Sequence, residues 1–310
     1  MTTIQNVSFG CDPEALIYDV GLEQFVPGDF VFRGDKRNHI PIGKGCHIHA
    51  DGVAVEITTE PLALETPKFT DNFLIMRNHS ITHIIKNLAK SAKDSKSVYQ
   101  NLMLQKMSSG VFSSTLIEKS PTYTESGCMP VFNLNKMCEQ VAIDYTKTPY
   151  RYAGGHIHLG WNNPTDEQRI ILCRLLDYYF SHWSIENKDK DFTYGRGETV
   201  FGELGNVRKK DYGIEYRTPS NSWFIKSAQH TKSFLNGVVK PSVGCLRTLF
   251  TMSEEERIEK VNKFSEQVLF IEQYRKTSKG LKDPVSSVKD YLSKWNSKLD
   301  FQPTYELESQ

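Results

Sequence analysis

The stretch RYAGGHIHLGW, residues 151–161, places two imidazoles two residues apart between glycines. In an extended strand successive side chains alternate between faces, so His156 and His158 point to one side and Ile157 and Leu159 to the other. One face of this predicted strand is therefore apolar, and the other carries chemistry. The flanking glycines leave room for the backbone to bend or for a ligand to approach closely.

Two further stretches follow the same plan. In GIEYRTP, Glu215 and Arg217 share one face of a predicted strand. In FGCDPEA, Asp12 and Glu14 lie two residues apart. Pro13 between them has no N–H for a ladder, which favours an edge strand or the start of a strand, and a turn is the alternative. Paired carboxylates, paired imidazoles and a guanidinium suit a site that binds metal ions and anionic oxygens.

A fourth candidate strand, DGVAVEI, begins with an Asp-Gly turn at Asp51 and carries Glu56 near its end. A second His-x-His pair, His47 and His49, precedes it. Zinc hydrolases use paired histidines. In a polar loop, however, such a pair is more often solvated, and we interpret it as a surface feature.

Segment 194–210 interleaves glycines with cations, including Arg196, Arg208 and Lys210. Backbone amides of glycines can approach phosphate oxygens closely while the cations neutralise their charge. The segment is thus a candidate for phosphate binding, and solvated loop cations are the commoner alternative.

Apolar spacing predicts several amphipathic helices. One runs from residue 70 to about 92, with Ile81, Ile84, Ile85 and Leu88 on its buried face. A second begins at residues 164–167 and ends near 184. A third follows Ser253 to about residue 280, and a fourth follows Pro284. We treat residues 1–310 as a single domain, with residues 251–310 as a C-terminal helical extension packed on it.

Composition indicates a soluble globular protein. The 310 residues are 38% hydrophobic and 24% charged, which is enough for a sizeable core. A net charge of +1 gives no general attraction to nucleic acid or to an anionic membrane. The six cysteines form no CxxC pair, which argues against a disulfide framework or a zinc ribbon. No signal peptide or long apolar run is evident, so we expect a cytoplasmic protein.

Taken in order, FGCDPE, DGVAVE, GHIH and GIEYR resemble motifs of carboxylate-amine ligases in the glutamine synthetase-like superfamily. The chain is most similar to the phage-type COOH-NH2 ligases, or amidoligases, over roughly residues 7–225, with the C-terminal helices outside the resemblance. This resemblance implies an α+β fold like the glutamine synthetase catalytic domain. In that fold a curved, mostly antiparallel sheet carries the site on its concave face and helices on its outer face.

The resemblance also implies a role for each matched residue. The residues that match metal ligands are Asp12, Glu14, Glu56, His156 and Glu215. His158 matches a contact to nucleotide phosphate, and Arg217 matches a cation that faces the transferred phosphoryl group. Glu56, Glu215 and Arg217 are the expected catalytic residues. The residues that match the pattern less closely are Asp51 and three candidate ATP contacts, Lys36, Arg196 and Arg208.

The implied activity is ATP-dependent amide formation through an acyl phosphate, with Mg²⁺ as the metal and Mn²⁺ or zinc as alternatives because a histidine ligand is unusual for Mg²⁺. The substrates would be a small-molecule or peptide carboxylate and an amine, in the host cytoplasm if the chain is phage-encoded, and the sequence is compatible with an oligomer. We expect loss of Glu215 to abolish activity with little effect on the fold, because crowded carboxylates repel one another.

Two other functions remain open at this stage. A metal-dependent amide hydrolase would use His156, His158, Asp12 and Glu56 to bind zinc and activate water. A non-catalytic binding protein on the same fold is the third reading. The cations favour the ligase over the hydrolase, because cleavage of a neutral amide does not require them.

Overall fold

A computed structural model describes residues 4–35, 37–93, 98–99, 101–119, 131–140, 145, 148–187, 189 and 199–277. The strands in these residues are β1 (Ser8–Ala15), β2 (Ile17–Asp19), β3 (Gln24–Val26), β4 (Ile40–Gly43), β5 (Cys46–Asp51), β6 (Ala54–Thr59), β7 (Leu62–Ala63), β8 (Leu102–Leu104), β9 (Ser109–Val111), β10 (Val131–Asn133), β11 (Cys138–Gln140), β12 (Tyr150–Tyr152), β13 (Gly155–Gly160), β14 (Asn206–Lys210) and β15 (Gly213–Tyr216).

The helices are α1 (Phe69–Lys93), α2 (Ser114–Glu118), α3 (Asp166–Glu186), α4 (Ser222–Ile225), α5 (Ala228–Phe234), α6 (Lys240–Leu249) and α7 (Glu254–Thr277), and a π-helical turn at Leu235–Val239 joins α5 to α6. Among these described helices, none combines the length and the apolar character that crossing a membrane requires.

The main sheet has ten strands in the order β11-β10-β14-β15-β13-β1-β6-β5-β4, with β7 beside β1. Every strand pair described in it is antiparallel. Two small sheets, β12-β9 and β3-β2-β8, stand apart from it. The prediction of an α+β protein with a large, mostly antiparallel sheet is therefore confirmed.

β1 lies in the middle of the main sheet, between β13 on one side and β6 and β7 on the other. The expectation of an edge strand or a turn around Pro13 is wrong. The Cys11 amide donates to the Thr59 hydroxyl, at 3.0 Å, and not to a ladder carbonyl. The backbone nitrogen of Pro13, two residues further on, points to the same neighbouring strand, β6. A proline is tolerated there because the β1–β6 ladder does not include its position.

Side chains of the central strands divide between two faces, as alternation predicts. Phe9, Ile157 and Tyr216 have no exposed surface and belong to the core. Phe9 packs on Phe73 of α1, with ring centroids 5.1 Å apart. Tyr216 packs on Phe180 of α3, at 6.4 Å. Helices thus cover one face, and the opposite face holds the acids, histidines and arginines of the predicted motifs.

Sequence signals for the helices agree with the structure at most points. Thr165 caps α3 through a capping box, in which its hydroxyl accepts the Gln168 amide at 3.2 Å. Ser253 likewise accepts the Glu256 amide at the start of α7, at 3.3 Å. Ile85 was predicted on the buried face of α1, but its side chain is 52% exposed.

Two segments interpreted as loops are strands. β5 contains the second His-x-His pair and is laddered to β6 and β4. β14 contains Arg208 and Lys210 of the glycine-rich segment and is laddered to β15 and β10. At the other end, α7 packs on α3 through the rings of Phe264 and Tyr178, 4.8 Å apart. Residues 278–310, with the helix predicted after Pro284, lie outside the described residues.

Candidate active site

The exposed face of the sheet gathers residues that are far apart in the chain. Directly opposite residues of an antiparallel ladder share a face, so strand register alone brings the motifs together. The opposed pairs are Arg208 with Glu215, Glu215 with His158, Asp12 with His156, Glu14 with Glu56, and Glu56 with His49.

These pairs surround a polar cavity of about 240 Å³. Its lining residues are Asp12, Glu14, His39, His49, Asp51, Glu56, His156, His158, Arg208, Lys210, Glu215 and Arg217. Every predicted metal ligand is among them, as are His158, Arg208 and Arg217. The other two predicted ATP contacts, Lys36 and Arg196, lie outside the described residues.

One group in this cavity consists of Asp12, His156 and Glu215, which can each offer a ligand atom within 4.8 Å of the others. The Asp12 carboxylate lies 3.6 Å from His156 Nδ1 through its Oδ1 atom. That Oδ1 atom is buried and has no hydrogen-bond partner among the described residues. A buried carboxylate oxygen is costly to leave without a partner, and a cation would supply one.

A second group consists of Glu14, Asp51 and Glu56, again with ligand atoms within 4.8 Å of one another. Glu14 is buried, and its Oε2 accepts the Gly154 amide at 2.6 Å. This hydrogen bond fixes the carboxylate on the sheet. Three carboxylates so close together repel unless a cation lies between them, and oxygen donors alone are what Mg²⁺ prefers.

Glu215 is the centre of a cluster of cations. Arg208 Nη1 lies 3.1 Å and Lys210 Nζ 2.9 Å from Glu215 Oε2, and Arg217 donates to Oε1. Burial by itself raises the pKa of Glu215, but the charge of Arg217, the hydrogen bond from Lys210 and the charge of Arg208 outweigh it and lower the pKa to about 2. The carboxylate is therefore ionised and holds three cations at one end of the cavity.

This cluster extends and corrects the sequence prediction. The sequence suggests Lys210 as a phosphate-binding cation in a glycine-rich segment, with a solvated loop as the alternative, and the structure places it on β14, on the same face as Arg208. Arg208 Nη2 is buried without a hydrogen-bond partner among the described residues. The cluster thus has unused donor capacity, which an anionic oxygen could take up.

His158 lies between two partners. Its Nε2 is 3.1 Å from Asp12 Oδ2, and its Nδ1 is 2.6 Å from the Tyr212 hydroxyl. Burial lowers the pKa of His158, but the hydrogen bond and charge of Asp12 outweigh it, so the pKa is raised. Burial, with Glu215 and Asp12, raises the pKa of Tyr212 to about 12. The sequence prediction did not include Tyr212.

In the second His-x-His pair, His49 is not the surface residue that the sequence predicted, whereas His47 is half-buried and lines neither cavity. His49 is fully buried, and its Nε2 lies 3.5 Å from Glu56 Oε1. His39 stacks on it, with ring centroids 4.1 Å apart and an interplanar angle of 6°. The sequence did not predict His39 or His49 as site residues. For His49, only the β5–β6 register shows that it is opposite Glu56.

A larger cavity of about 510 Å³ adjoins the polar one and shares four lining residues with it, Asp12, His39, Glu56 and His158. Its remaining lining residues are Ser8, Gly10, Cys11, Thr58, Thr59, Pro61, Gly160 and Tyr212. Together the two cavities form one cleft on this face of the sheet. Its smaller end holds the cations Arg208, Lys210 and Arg217, and no lysine or arginine among the described residues lines its larger end.

The fold and the site place this chain in a class of proteins whose carboxylates and cations converge on one face of an antiparallel sheet. The family model for phage phiEco32-like COOH.NH2 ligase-type 2 matches residues 136–301, more than half of the chain. The chain belongs to this family of carboxylate-amine ligases. Comparison with curated proteins and with solved structures gave no match.

The extent of the match differs from the resemblance expected over residues 7–225. It begins after β1, β5 and β6 and extends through α7. His156, Glu215 and Arg217 lie inside it, whereas the acids of the second group lie before it. The C-terminal helix is thus part of the family pattern, contrary to the expectation from the sequence.

Proposed function

We propose that the protein is an ATP-dependent ligase that joins a carboxylate to an amine through an acyl-phosphate intermediate. The observation that carries this proposal is the convergence of Arg208, Lys210 and Arg217 beside two groups of candidate metal ligands. The family of COOH.NH2 ligases supports the bond that is formed. ATP is the reactant whose phosphate oxygens such a cluster of cations would bind.

The chemical problem for such an enzyme is repulsion. A substrate carboxylate must approach the terminal phosphate of ATP, and both are anions. An oxygen of the substrate carboxylate attacks the terminal phosphorus, and ADP leaves. The resulting acyl phosphate then reacts with the amine to give an amide and phosphate. Catalysis of the first step rests on positioning and on neutralising charge. Fixed guanidinium and ammonium groups at one end of the cavity suit that task.

The chain's own residues divide this work. Arg217, only 4% exposed, and Arg208 would bind the phosphoryl oxygens, with Lys210 beside them. Glu215 holds these cations in place before the nucleotide arrives, so less reorganisation is needed during the transfer. His158, held between Asp12 and Tyr212, orients the Asp12 carboxylate.

A divalent metal fits the donor sets of both groups. Glu14, Asp51 and Glu56 offer the hard oxygens of a Mg²⁺ site, and Asp12 with His156 offers a mixed set that also suits Mn²⁺ or zinc. When bound, such a cation would neutralise phosphate and carboxylate oxygens.

The decisive experiment measures ADP release and amide formation with Mg²⁺ and ATP, using panels of amino acids, dipeptides and small dicarboxylic acids with primary amines. Arg217→Lys keeps the charge but loses the planar fork that binds two oxygens. We expect ADP formation to fall by about 10²–10³-fold in this variant, while metal binding persists.

Arg257→Lys is the matched control, because Arg257 on α7 pairs with Glu167 of α3 and lines neither cavity. It should retain wild-type rates. A metal-dependent hydrolase would instead cleave amides without nucleotide and tolerate Arg217→Lys. ATP-independent turnover in the wild-type protein would therefore overturn the ligase proposal.

A further inference from the structure

Resting on the ligase function proposed above, we infer that the larger cavity admits the amine substrate and that His39, where the two cavities meet, accepts the proton of that amine. The amine that this cavity suits is a primary amine that carries no carboxylate. His39 is not among the residues matched to the ligase motifs.

The first argument is the difference in charge between the two ends of the cleft. The polar end holds three fixed cations, Arg208, Lys210 and Arg217, together with the carboxylates of both candidate metal groups. In contrast, no lysine or arginine lines the larger end within the described part of the chain, where the permanent charges are the carboxylates of Asp12 and Glu56. Anionic reactants therefore belong at the first end, and a cation belongs at the second.

The second argument concerns the wall of the larger cavity. An amine reaches the enzyme as an ammonium ion, which donates hydrogen bonds and carries positive charge. The Thr58 hydroxyl on β6 is buried and has no hydrogen-bond partner among the described residues. It lines the cavity together with Asp12 and Glu56. These oxygens offer acceptors for an ammonium group, whereas a carboxylate on the same substrate would be repelled.

The third argument is the position of His39. It lines both cavities, so a group entering from the larger one meets it before reaching the cationic end. Its ring lies flat on the buried ring of His49, which holds the orientation of the imidazole. Because His39 itself is exposed, a proton that it accepts can pass on to water.

The chemical step requires such an acceptor. An ammonium nitrogen has no lone pair, so one N–H bond must break and its proton must move to the His39 imidazole. The freed lone pair then forms the C–N bond at the acyl carbon. The C–O bond to phosphate breaks, and phosphate leaves with that electron pair. The second proton leaves the new amide nitrogen with the departing phosphate, so atoms and charges balance.

The catalytic part of the inference is tested with hydroxylamine, which is largely uncharged at pH 7 and needs no proton acceptor. We expect His39→Asn to slow amide formation from a primary amine by about 10²-fold or more. Hydroxamate formation from the same carboxylate should stay within about twofold of wild type. The control is His83→Asn, since His83 lies on α1 and lines neither cavity; both reactions should be unchanged.

Either of two results would overturn this role for His39. Equal loss of amide and hydroxamate would show that it serves the phosphoryl step or the fold, and wild-type amide formation would show that it accepts no proton. Failure of the wild-type protein to form any hydroxamate would instead count against the proposed function itself, so the two failures are distinguishable.

The substrate class is tested by calorimetry with two probes, 1,5-diaminopentane and lysine, which differ by one carboxylate. We expect the diamine to bind at least tenfold more tightly. Thr58→Lys adds a cation to the cavity wall and should weaken diamine binding at least tenfold, whereas Thr58→Gln, similar in size and uncharged, should not.

The affinity for ATP should be the same in both Thr58 variants. If Thr58→Lys instead changed ATP affinity and left diamine affinity intact, the larger cavity would hold the nucleotide. Tighter binding of lysine than of diaminopentane would also overturn the assignment of the amine class.

Discussion

At the scale of single residues, Glu215 behaves differently from the crowded carboxylate that the sequence suggested. Its side chain is 1% exposed and lies against Arg208, Lys210 and Arg217. The repulsion from neighbouring acids is therefore outweighed by attraction to three cations. Removing this carboxylate leaves buried positive charge without its main counter-charge, so the expectation of little loss of fold must be revised.

We predict that Glu215→Gln abolishes ligation and lowers the free energy of unfolding by about 3–5 kcal/mol at pH 7, the usual effect of removing one partner of a buried ion pair. Because the folded-state pKa is lowered to about 2, this stabilisation is present above the ordinary range of Glu and is lost as the pH falls toward 2. Urea unfolding at pH 7 and pH 3 measures the difference.

The matched control is Glu255→Gln, an exposed glutamate in the first turn of α7. Its free energy of unfolding should change little at either pH. If Glu215→Gln were as stable as wild type at pH 7, the three cations would not depend on Glu215, and the account of a preorganised cluster would fail.

The candidate site was predictable from sequence where two functional residues lie two apart on a strand that the apolar pattern also identifies. This applies to Asp12 with Glu14, His156 with His158 and Glu215 with Arg217, because the alternation of a strand fixes their common face. It does not apply to His39, His49 or Tyr212. Their proximity to the site depends on which strands are neighbours and in which register, and local spacing carries no such information.

At the scale of elements, the sequence misses β14, a strand that has charges on both faces. β14 carries Arg208 and Lys210 toward the cleft, while Lys209 between them is 63% exposed and pairs with Asp166. The side chains of β14 alternate between two faces, as in any strand. This alternation separates Arg208 and Lys210 from Lys209, and it does not separate apolar from polar residues. A rule based on hydrophobicity therefore reads such a segment as a loop.

The contact between α3 and β15 contains a buried acid behind the site. Asp177 Oδ1 accepts the Gly205 amide at 2.9 Å and the Tyr216 hydroxyl at 2.7 Å. Burial raises the pKa of Asp177 to about 7 despite these hydrogen bonds. Because the folded-state pKa is raised, the folded protein favours the protonated acid, and its stability falls as the pH rises from about 4 through 7.

We predict that Asp177→Asn removes this dependence, since an amide has the shape of the protonated acid and no charge to ionise. At pH 8 the variant should be more stable than wild type by up to about 4 kcal/mol, and at pH 4 the two should be nearly equal. Thermal unfolding across this range is the measurement. The exposed Asp71→Asn on α1 is the control, and a variant that is less stable than wild type at pH 8 would contradict the prediction.

At the scale of the whole molecule, the family match and the site complement each other. The match covers residues 136–301, yet Glu14, Asp51 and Glu56 lie before it. The alternating motifs predicted individual strands with one apolar and one polar face, and the resemblance to the ligase family implied the α+β class. The order of strands in the sheet was not predictable, since it depends on pairings between segments that are distant in sequence.

We predict that α7 is an integral part of the folded unit. Val268 is fully buried, whereas its neighbour Leu269 is 52% exposed. Val268→Asp would place an unpaired charge in the core and should lower the melting temperature by at least about 10 °C, whereas Leu269→Asp should shift it by less than about 3 °C. Equal melting temperatures for the two variants would mean that α7 contributes nothing to the stability of the domain.

The central position of β1 has a consequence for synthesis on the ribosome. Glu14 of β1 accepts a hydrogen bond from Gly154, 140 positions later in the chain. At about 5–20 residues per second, roughly 7–30 s pass between the two. Throughout that interval β1 lacks its partner on one side. Asp12 and Glu14 then place negative charges along an open strand, which opposes pairing with other chains. We therefore expect the acids of the cleft also to protect the nascent polypeptide from aggregation before the cleft exists.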